Sequence, residues 1–443
     1  RRLFGRPDPV RKPVEQMFWY RSTKVVTRRA VPIGLAVVAL LLLLGSPFLR
    51  VKWGMPDDRV LPPSASAHAV GDQLRHDFKD DSATAVPVVV PDARGVRPGD
   101  FDRYAADLSR VGDVTAVSAP TGTFVGGTRV GPPSAATGVG RDSAFLTVAS
   151  TAPLFSQASN TQLDRLHAVA GPAGRPVELA GMAQINRDSV QAIVARLPLV
   201  LGLIGAITFA LLFLLTGSVV LPLKALLCNI LSLTAAFGAL VWIFQDGHLG
   251  ALGTTPSQTL VANIPVLLFC VAFGLAMDYE VFLVSRIREY WLGFAASHPA
   301  AVDAKTIRAD NDESVALGLA RTGRVVTAAA VVMSISFAAL IAAQVSFMLM
   351  FGLGLTLAVL VDATLVRMVL VPAFMHMLGR WSWWAPTPLM RLHDRYGISE
   401  SDSAPVRSAA DPPTGRHRRE DGPPATPAAS SGVRAAMTVN DRG

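Results

Sequence analysis

Cysteine is nearly absent. The 443 residues hold two, Cys228 and Cys270, and the stretch from Arg50 to Arg196 holds none, so no disulfide framework stabilises that region. Both cysteines fall in apolar surroundings and read as small packing residues. Charge is also scarce: 17% of residues are Asp, Glu, Lys or Arg, against 51% hydrophobic residues, a balance outside that of ordinary soluble domains. No Gly-rich phosphate loop of the Walker type occurs, which argues against a nucleotide-driven pump. His68, His76, His167, His248 and His298 are scattered, without a carboxylate or Cys at metal-ligand spacing, and no catalytic constellation stands out. The chain therefore reads as a non-enzyme without metal or cofactor.

What is present is apolar length. Ala30 to Leu49, Leu197 to Leu223, Ala225 to Gln245, Gly247 to Met277 and Val325 to Val361 contain no Asp, Glu, Lys or Arg. A spanning helix needs ~20 such residues. The last run is too long for one helix and is broken at Ala342-Ala-Gln-Val-Ser346, giving six predicted spans near 30–49, 197–216, 222–243, 260–285, 325–343 and 347–369.

Lys and Arg in short loops set orientation. Arg21, Lys24, Arg28 and Arg29 precede the first span, Lys224 stands at the turn between the second and third, and Arg286, Arg288, Lys305, Arg308 and Arg321 lie between the fourth and fifth. The loops 246–258 and 342–346 hold neither residue. Both termini are thus expected in the cytoplasm, at the plasma (inner) membrane. The formal charge of +8 is explained by basic residues beside anionic lipid and calls for no nucleic acid.

The layout is one span, a long extracytoplasmic segment, then five spans. Its expected domains are an N-terminal arm (1–29), a first helix (30–49), an outer domain (50–196), a five-helix bundle (197–369), a Trp-rich amphipathic segment (370–402) and a disordered tail (403–443). Within the outer domain, 83–90 reads as strand, 101–111 as helix and 114–118 as strand. After a Gly/Pro-rich loop at 122–140, residues 144–150 read as strand, 154–169 as helix and 176–179 as strand. Strand-helix-strand twice predicts an α+β domain of the split βαβ type, helices on one face of the sheet. Residues 188–195 read as a helix leading into the second span. Gly202 with Ala206, and Gly354 with Ala358, read as helix-packing pairs.

The chemistry concentrates in Leu275-Ala-Met-Asp-Tyr-Glu-Val-Phe-Leu283. An acid inside hydrocarbon is costly and marks a functional site. Asp278 shares a helix face with Gly274 and Phe282, Gly274 admits a close neighbour, and the acid lies roughly 12 Å inside the cytoplasmic helix end marked by Arg286. Burial favours a protonated carboxyl, so Asp278 reads as a proton carrier with Tyr279 as hydrogen-bond donor or relay. Glu280 points about 200° away and is expected to pair with Arg286 or snorkel. Asp362 is the second intramembrane acid. Arg367, five residues on and about 140° around an α-helix, is a poor partner for it, so an ion pair with Arg324 or Arg321 on another helix is expected, as a structural tie.

Three stretches together, Gly274-Leu-Ala-Met-Asp-Tyr-Glu-Val-Phe-Leu-Val-Ser-Arg-Ile-Arg288, Gly318-Leu-Ala-Arg-Thr-Gly-Arg324 and Val361-Asp-Ala-Thr-Leu-Val-Arg-Met-Val-Leu-Val-Pro372, resemble the mycobacterial membrane protein large (MMPL) family of the resistance-nodulation-division superfamily. The ending Gly379-Arg-Trp-Ser-Trp-Trp384 and the outer entry Asp57-Asp-Arg-Val-Leu-Pro62 resemble it too. The resemblance implies a twelve-span protein of two such units with two porter domains, exporting lipids, lipoconjugates or siderophores on the proton gradient. This chain looks like the second unit, and its opening at Arg1 fits a fragment or a separately encoded C-terminal half from an actinobacterium. By the likeness, Asp278 and Tyr279 hold the proton-relay positions and Phe282 the aromatic one turn on. A second Asp-Tyr pair would come from the first unit, so an N-terminal-half partner chain, or a homo-oligomer, is implied. The competing readings are a non-transporting scaffold or lipid-binding remnant, and a six-span protein-translocation accessory.

Overall fold

The computed structural model describes residues 13–78, 82–255, 259–297 and 303–397. His298 and the tail at 403–443 lie outside the described residues. Six helices are long and apolar enough to cross a membrane: Ala30–Arg50, Met182–Thr216, Val220–Gln245, Asn263–Ser297, Ala304–Ala342 and Ser346–Trp383. In element order these include α2 (Ala30–Gly45), α6 (Met182–Thr216), α7 (Val220–Leu240), α8 (Asn263–Ser297), α9 (Ala304–Ala338) and α10 (Ser346–Val361). An amphipathic helix α1 (Phe18–Arg28) precedes the first, and α11 (Val371–Leu378) and α12 (Thr387–Tyr396) follow the last.

The helices exceed the expected spans. The expected boundary at 196/197 falls inside α6, which runs unbroken from 182 through Pro198. The basic residues between the fourth and fifth spans lie on the ends of α8 and α9 instead of in a loop. Lys224 likewise stands one turn inside α7 and is buried. Of the two small-residue pairs, a Cβ on Gly354 would meet Leu268 and Leu240, whereas one on Gly202 would meet nothing within 4 Å, so Gly202 with Ala206 is not a packing seam among the described residues. The tight crossing is elsewhere. A Cβ on Gly238 of α7 would strike the Leu44 carbonyl of α2, and one on Gly45 would come within 2.9 Å of Thr234 Cγ2.

Between α2 and α6 lies a sheet with helices on one face. Its strands include β2 (Val86–Val90), β3 (Val114–Ala119), β4 (Gly122–Val125), β5 (Thr128–Gly131), β6 (Gly138–Val139), β7 (Ala144–Ser150) and β8 (Glu178–Leu179). The spatial order is β5-β4-β3-β7-β2-β8, with β6 also on β7, and every pairing is antiparallel. Strand β7 separates β2 from β3, which is the split βαβ arrangement. The loop expected at 122–140 instead carries three short strands, and a helix α3 (Ser66–Asp77) occupies a stretch with no expected element. His68 and His76 therefore sit on a helix, where Asp72, one turn from His68, lies 3.2 Å from its Nε2.

The alternation of β2 explains the core. Val86, Val88 and Val90 point inward, registered against Val148, Leu146 and Ala144 of β7. Helix α4 (Pro98–Leu108) covers them with Phe101, Tyr104 and Leu108, and α5 (Gln157–Ala168) with Leu163 and Leu166. Each fully buried side chain of this kind contributes about 1.5–3 kcal/mol.

The α/β unit is tied to the bundle at several points. Strand β1 (Trp53–Gly54) pairs in parallel with β9 (Leu260–Val261), immediately before α8. The fourth span was expected to begin at 260; pairing with β1 keeps 260–261 extended, and the helix starts at Asn263. The buried Gln245 caps this junction, accepting from the Lys52 amide at 2.7 Å and donating to the Arg50 carbonyl at 3.0 Å. At the opposite end of the bundle, Ser218 donates to the Ser382 carbonyl at 2.7 Å, and Trp383 Nε1 donates to Asn311 Oδ1 at 3.0 Å. There α12 docks through His393, whose Nε2 lies 3.1 Å from Arg288 Nη2.

Candidate functional site

Helix α8 presents two chemistries on opposite faces. Gly274, Asp278 and Phe282 share the outward face, where Phe282 is 64% exposed. Asp278 makes no hydrogen bond or ion pair among the described residues. Two residues on, the chain has turned by about 200°, and Glu280 is buried in the bundle. The expected pairing of Glu280 with Arg286 does not occur: Arg286 bonds Glu289 at 2.5 Å, and Glu280 faces Lys224 at 3.3 Å and Arg367 at 3.7 Å.

Arg367, 1% exposed, is the centre of this cluster. Its Nε donates to Asp362 Oδ2 at 2.7 Å, and Nη2 donates to the Ala276 carbonyl of α8. Its guanidinium carbon lies 5.4 Å from the Tyr279 ring centroid, in cation–π range. Tyr279 Oη donates to Met333 Sδ at 3.1 Å, which brings α9 into the same arrangement. Two acids and two bases thus meet on three helices with a formal sum of zero. This neutrality is what makes their burial tolerable, since an unpaired ion here would carry a desolvation cost of several kcal/mol.

The Asp362–Arg367 pair corrects the expected partner. Arg324 is exposed and has no ion pair among the described residues, and Arg321 stacks on Tyr290. The reason is local. Residues Asp362–Leu370 form a π-helix, whose i→i+5 bonding brings positions five apart nearly into line. In an α-helix the same two side chains would diverge by about 140°. The sequence-predicted residues therefore divide: Glu280, Asp362 and Arg367 come together with Tyr279 at their edge, Asp278, Gly274 and Phe282 face outward, and Arg324 stands apart. Lys224 was read as a loop cation and missed. Its signal was its place, flanked on both sides by charge-free apolar sequence.

A second feature lies on the half of the bundle nearer the α/β unit. A groove of about 380 Å³ runs between α6, α7 and α8, walled by apolar side chains that include Trp53, Leu201, Ile204, Phe237, Phe269 and Phe273. Such a wall suits hydrocarbon and offers little to a polar solute.

The model of the MMPL family matches residues 59–396. The chain belongs to the MMPL family. Among its relatives, a putative membrane protein of Streptomyces coelicolor is 36% identical over 416 residues, covering 93% of this chain and 53% of that protein. The trehalose monomycolate exporter MmpL3 of Mycobacterium tuberculosis is 30% identical over 442 residues, 97% of this chain and 43% of the exporter. The mycolic acid-containing lipids exporter MmpL11 of Mycolicibacterium smegmatis is 31% identical over 381 residues, 84% and 37% respectively. The chain therefore spans about half or less of the length of these family members, and it is a multi-pass membrane protein similar to lipid exporters.

Proposed function

We propose that this chain is the C-terminal half of an exporter that moves lipids or lipid-like molecules across the plasma membrane, driven by the proton gradient. In this reading the α/β unit is an extracytoplasmic porter-like domain, both termini are cytoplasmic, and the apolar groove receives the hydrocarbon of the substrate. Asp278 takes up and releases the proton, and Tyr279 hands it on. Gly274 and Phe282 shape the surface around Asp278, which docks an N-terminal-half partner chain or a second copy. Glu280, Lys224, Asp362 and Arg367 hold α7, α8 and the last span in register behind the relay.

The observation that carries the reading is the placement of Asp278. It stands within a membrane-capable helix, on an outward face beside an exposed phenylalanine, with no partner of its own among the described residues. An acid so placed is expensive unless a partner surface or a proton serves it. The test is export by cells that co-express a first-half chain. Co-expression is expected to support export and Asp278→Asn to abolish it at unchanged levels of folded protein. Full export by the Asn variant overturns the relay.

A further inference from the structure

Behind Tyr279, where α7, α8, α9 and the last span converge, the bundle leaves a space with room for a single water. Small side chains make the room: Ala276, Ala330 and Ala358 line it, with Asn229, Tyr279 and Asp362 supplying polar atoms. Asn229 is 2% exposed, and neither its Oδ1 nor its Nδ2 has a hydrogen-bond partner in the protein. A buried amide with both ends unmet costs about 1–3 kcal/mol per group, and such groups are normally satisfied by protein or by ordered water. Hydrocarbon surrounds this bundle, so the amide has no other recourse.

The neighbouring charges decide what the space holds. Asp362 is already engaged by Arg367 at 2.7 Å, and Lys224 and Arg367 both pair with Glu280 close by. Lys224 and Arg367 already balance the two carboxylates, Glu280 and Asp362, so an added metal cation would be uncompensated, while a neutral molecule that both donates and accepts fits. We propose that this space is a specific binding site for one water molecule, held by the Asn229 side chain, which links Tyr279 to Asp362. Asn229 is then a positioning residue. Its functional consequence rests on the proton-driven reading above: Tyr279 O–H gives its proton to the water, the water gives one to the Asp362 carboxylate, and Asp278 reprotonates Tyr279. The sum is one proton moved from Asp278 to Asp362. The ionisable groups facing the path are Glu280 and Tyr279 of α8, Lys224 of α7, and Asp362 and Arg367 of the last span.

Two measurements separate the water site from the relay. In X-ray radiolytic footprinting of the purified full chain in lipid nanodiscs, bound water generates hydroxyl radical beside Tyr279. We expect Tyr279 to label at least fivefold faster than Phe351, which is likewise partly buried but lies away from the space. Asn229→Leu, similar in shape without hydrogen-bonding atoms, is expected to erase that difference, and Asn229→Ser to keep it. Wild-type labelling of Tyr279 at the Phe351 rate, or labelling untouched by Asn229→Leu, overturns the site. Should Asn229→Leu misfold, the wild-type rate at Tyr279 against that at Phe351 decides alone. The second measurement is export with the partner chain, where Asn229→Leu is expected to slow transport about tenfold and to lower the ratio of rates in H2O and D2O. Export lost in Asp278→Asn but normal in Asn229→Leu refutes the Asp362 branch and leaves the parent reading standing. Normal export in Asp278→Asn sinks the parent reading, while footprinting still rules on the water.

Discussion

Removing Arg367 asks the buried cluster to survive without its central cation. Arg367→Leu leaves Glu280 and Asp362 sharing a single base, Lys224, so a neutral quartet becomes a group with one uncompensated negative charge. At separations of 2.7 and 3.7 Å the direct attractions lost are roughly 6 and 4 kcal/mol at an effective dielectric constant near 20. The guanidinium's own desolvation cost is recovered, so the net expectation is a loss of about 3–5 kcal/mol, the usual effect of breaking one side of a buried pair. The second variant is the discriminating one. Adding Asp362→Asn restores neutrality, since Lys224 still serves Glu280, and should return more than half of the lost stability. Unfolding by SDS titration in mixed micelles, followed by circular dichroism, measures both. A single-variant loss under about 1 kcal/mol, or costs that simply add in the double variant, would show that the four groups do not act as one balanced unit.

The crossing of α2 and α7 predicts that Gly238→Leu, which drives a side chain into the Leu44 carbonyl, costs about 1–3 kcal/mol or more in the same titration, while Gly202→Leu is near neutral. Equal effects at the two positions would contradict the packing described. His393 gives a pH prediction. Burial first, and the Arg288 guanidinium second, hold its pKa below the usual value, and its Nε2 accepts from Arg288, which requires the neutral ring. A lowered folded-state pKa means that the contribution is present above about pH 6.5, the unfolded value, and is lost as pH falls through the folded one. A nitroxide at position 390 should therefore gain mobility on acidification from pH 7.5 towards 5, and His393→Lys should be mobile throughout; a spectrum indifferent to pH refutes the docking role.

The apolar architecture was legible because hydrocarbon imposes one rule: charge-free stretches of sufficient length become helices. The sheet was legible for a similar reason, since Val86, Val88 and Val90 alternate with outward residues and strand patterning has a period of two. Helix ends were harder. Outside the hydrocarbon, α8 and α9 continue as ordinary polar helices, and nothing in the charge pattern marks where lipid stops and helix goes on. The site was half legible. That acids lie within the bundle follows from sequence, but which base meets which acid depends on helix rotation. Assuming 100° per residue from 362 to 370 separated Asp362 from Arg367, and a local π-helix reverses that geometry. Lys224 was hidden because a cation four residues into a helix looks the same whether it reaches back to water or inward to Glu280.

The unbroken course of α6 has a mechanical meaning. At 35 residues it is a rod of about 52 Å, its first turns fastened to α5 through Arg187 and Asp164 at 2.6 Å, its remainder largely unclamped by its neighbours. A tilt of about 5° at the far end displaces the fastened end by roughly 4–5 Å. A small rotation about the distal end of the rod would thus emerge as a movement of the sheet.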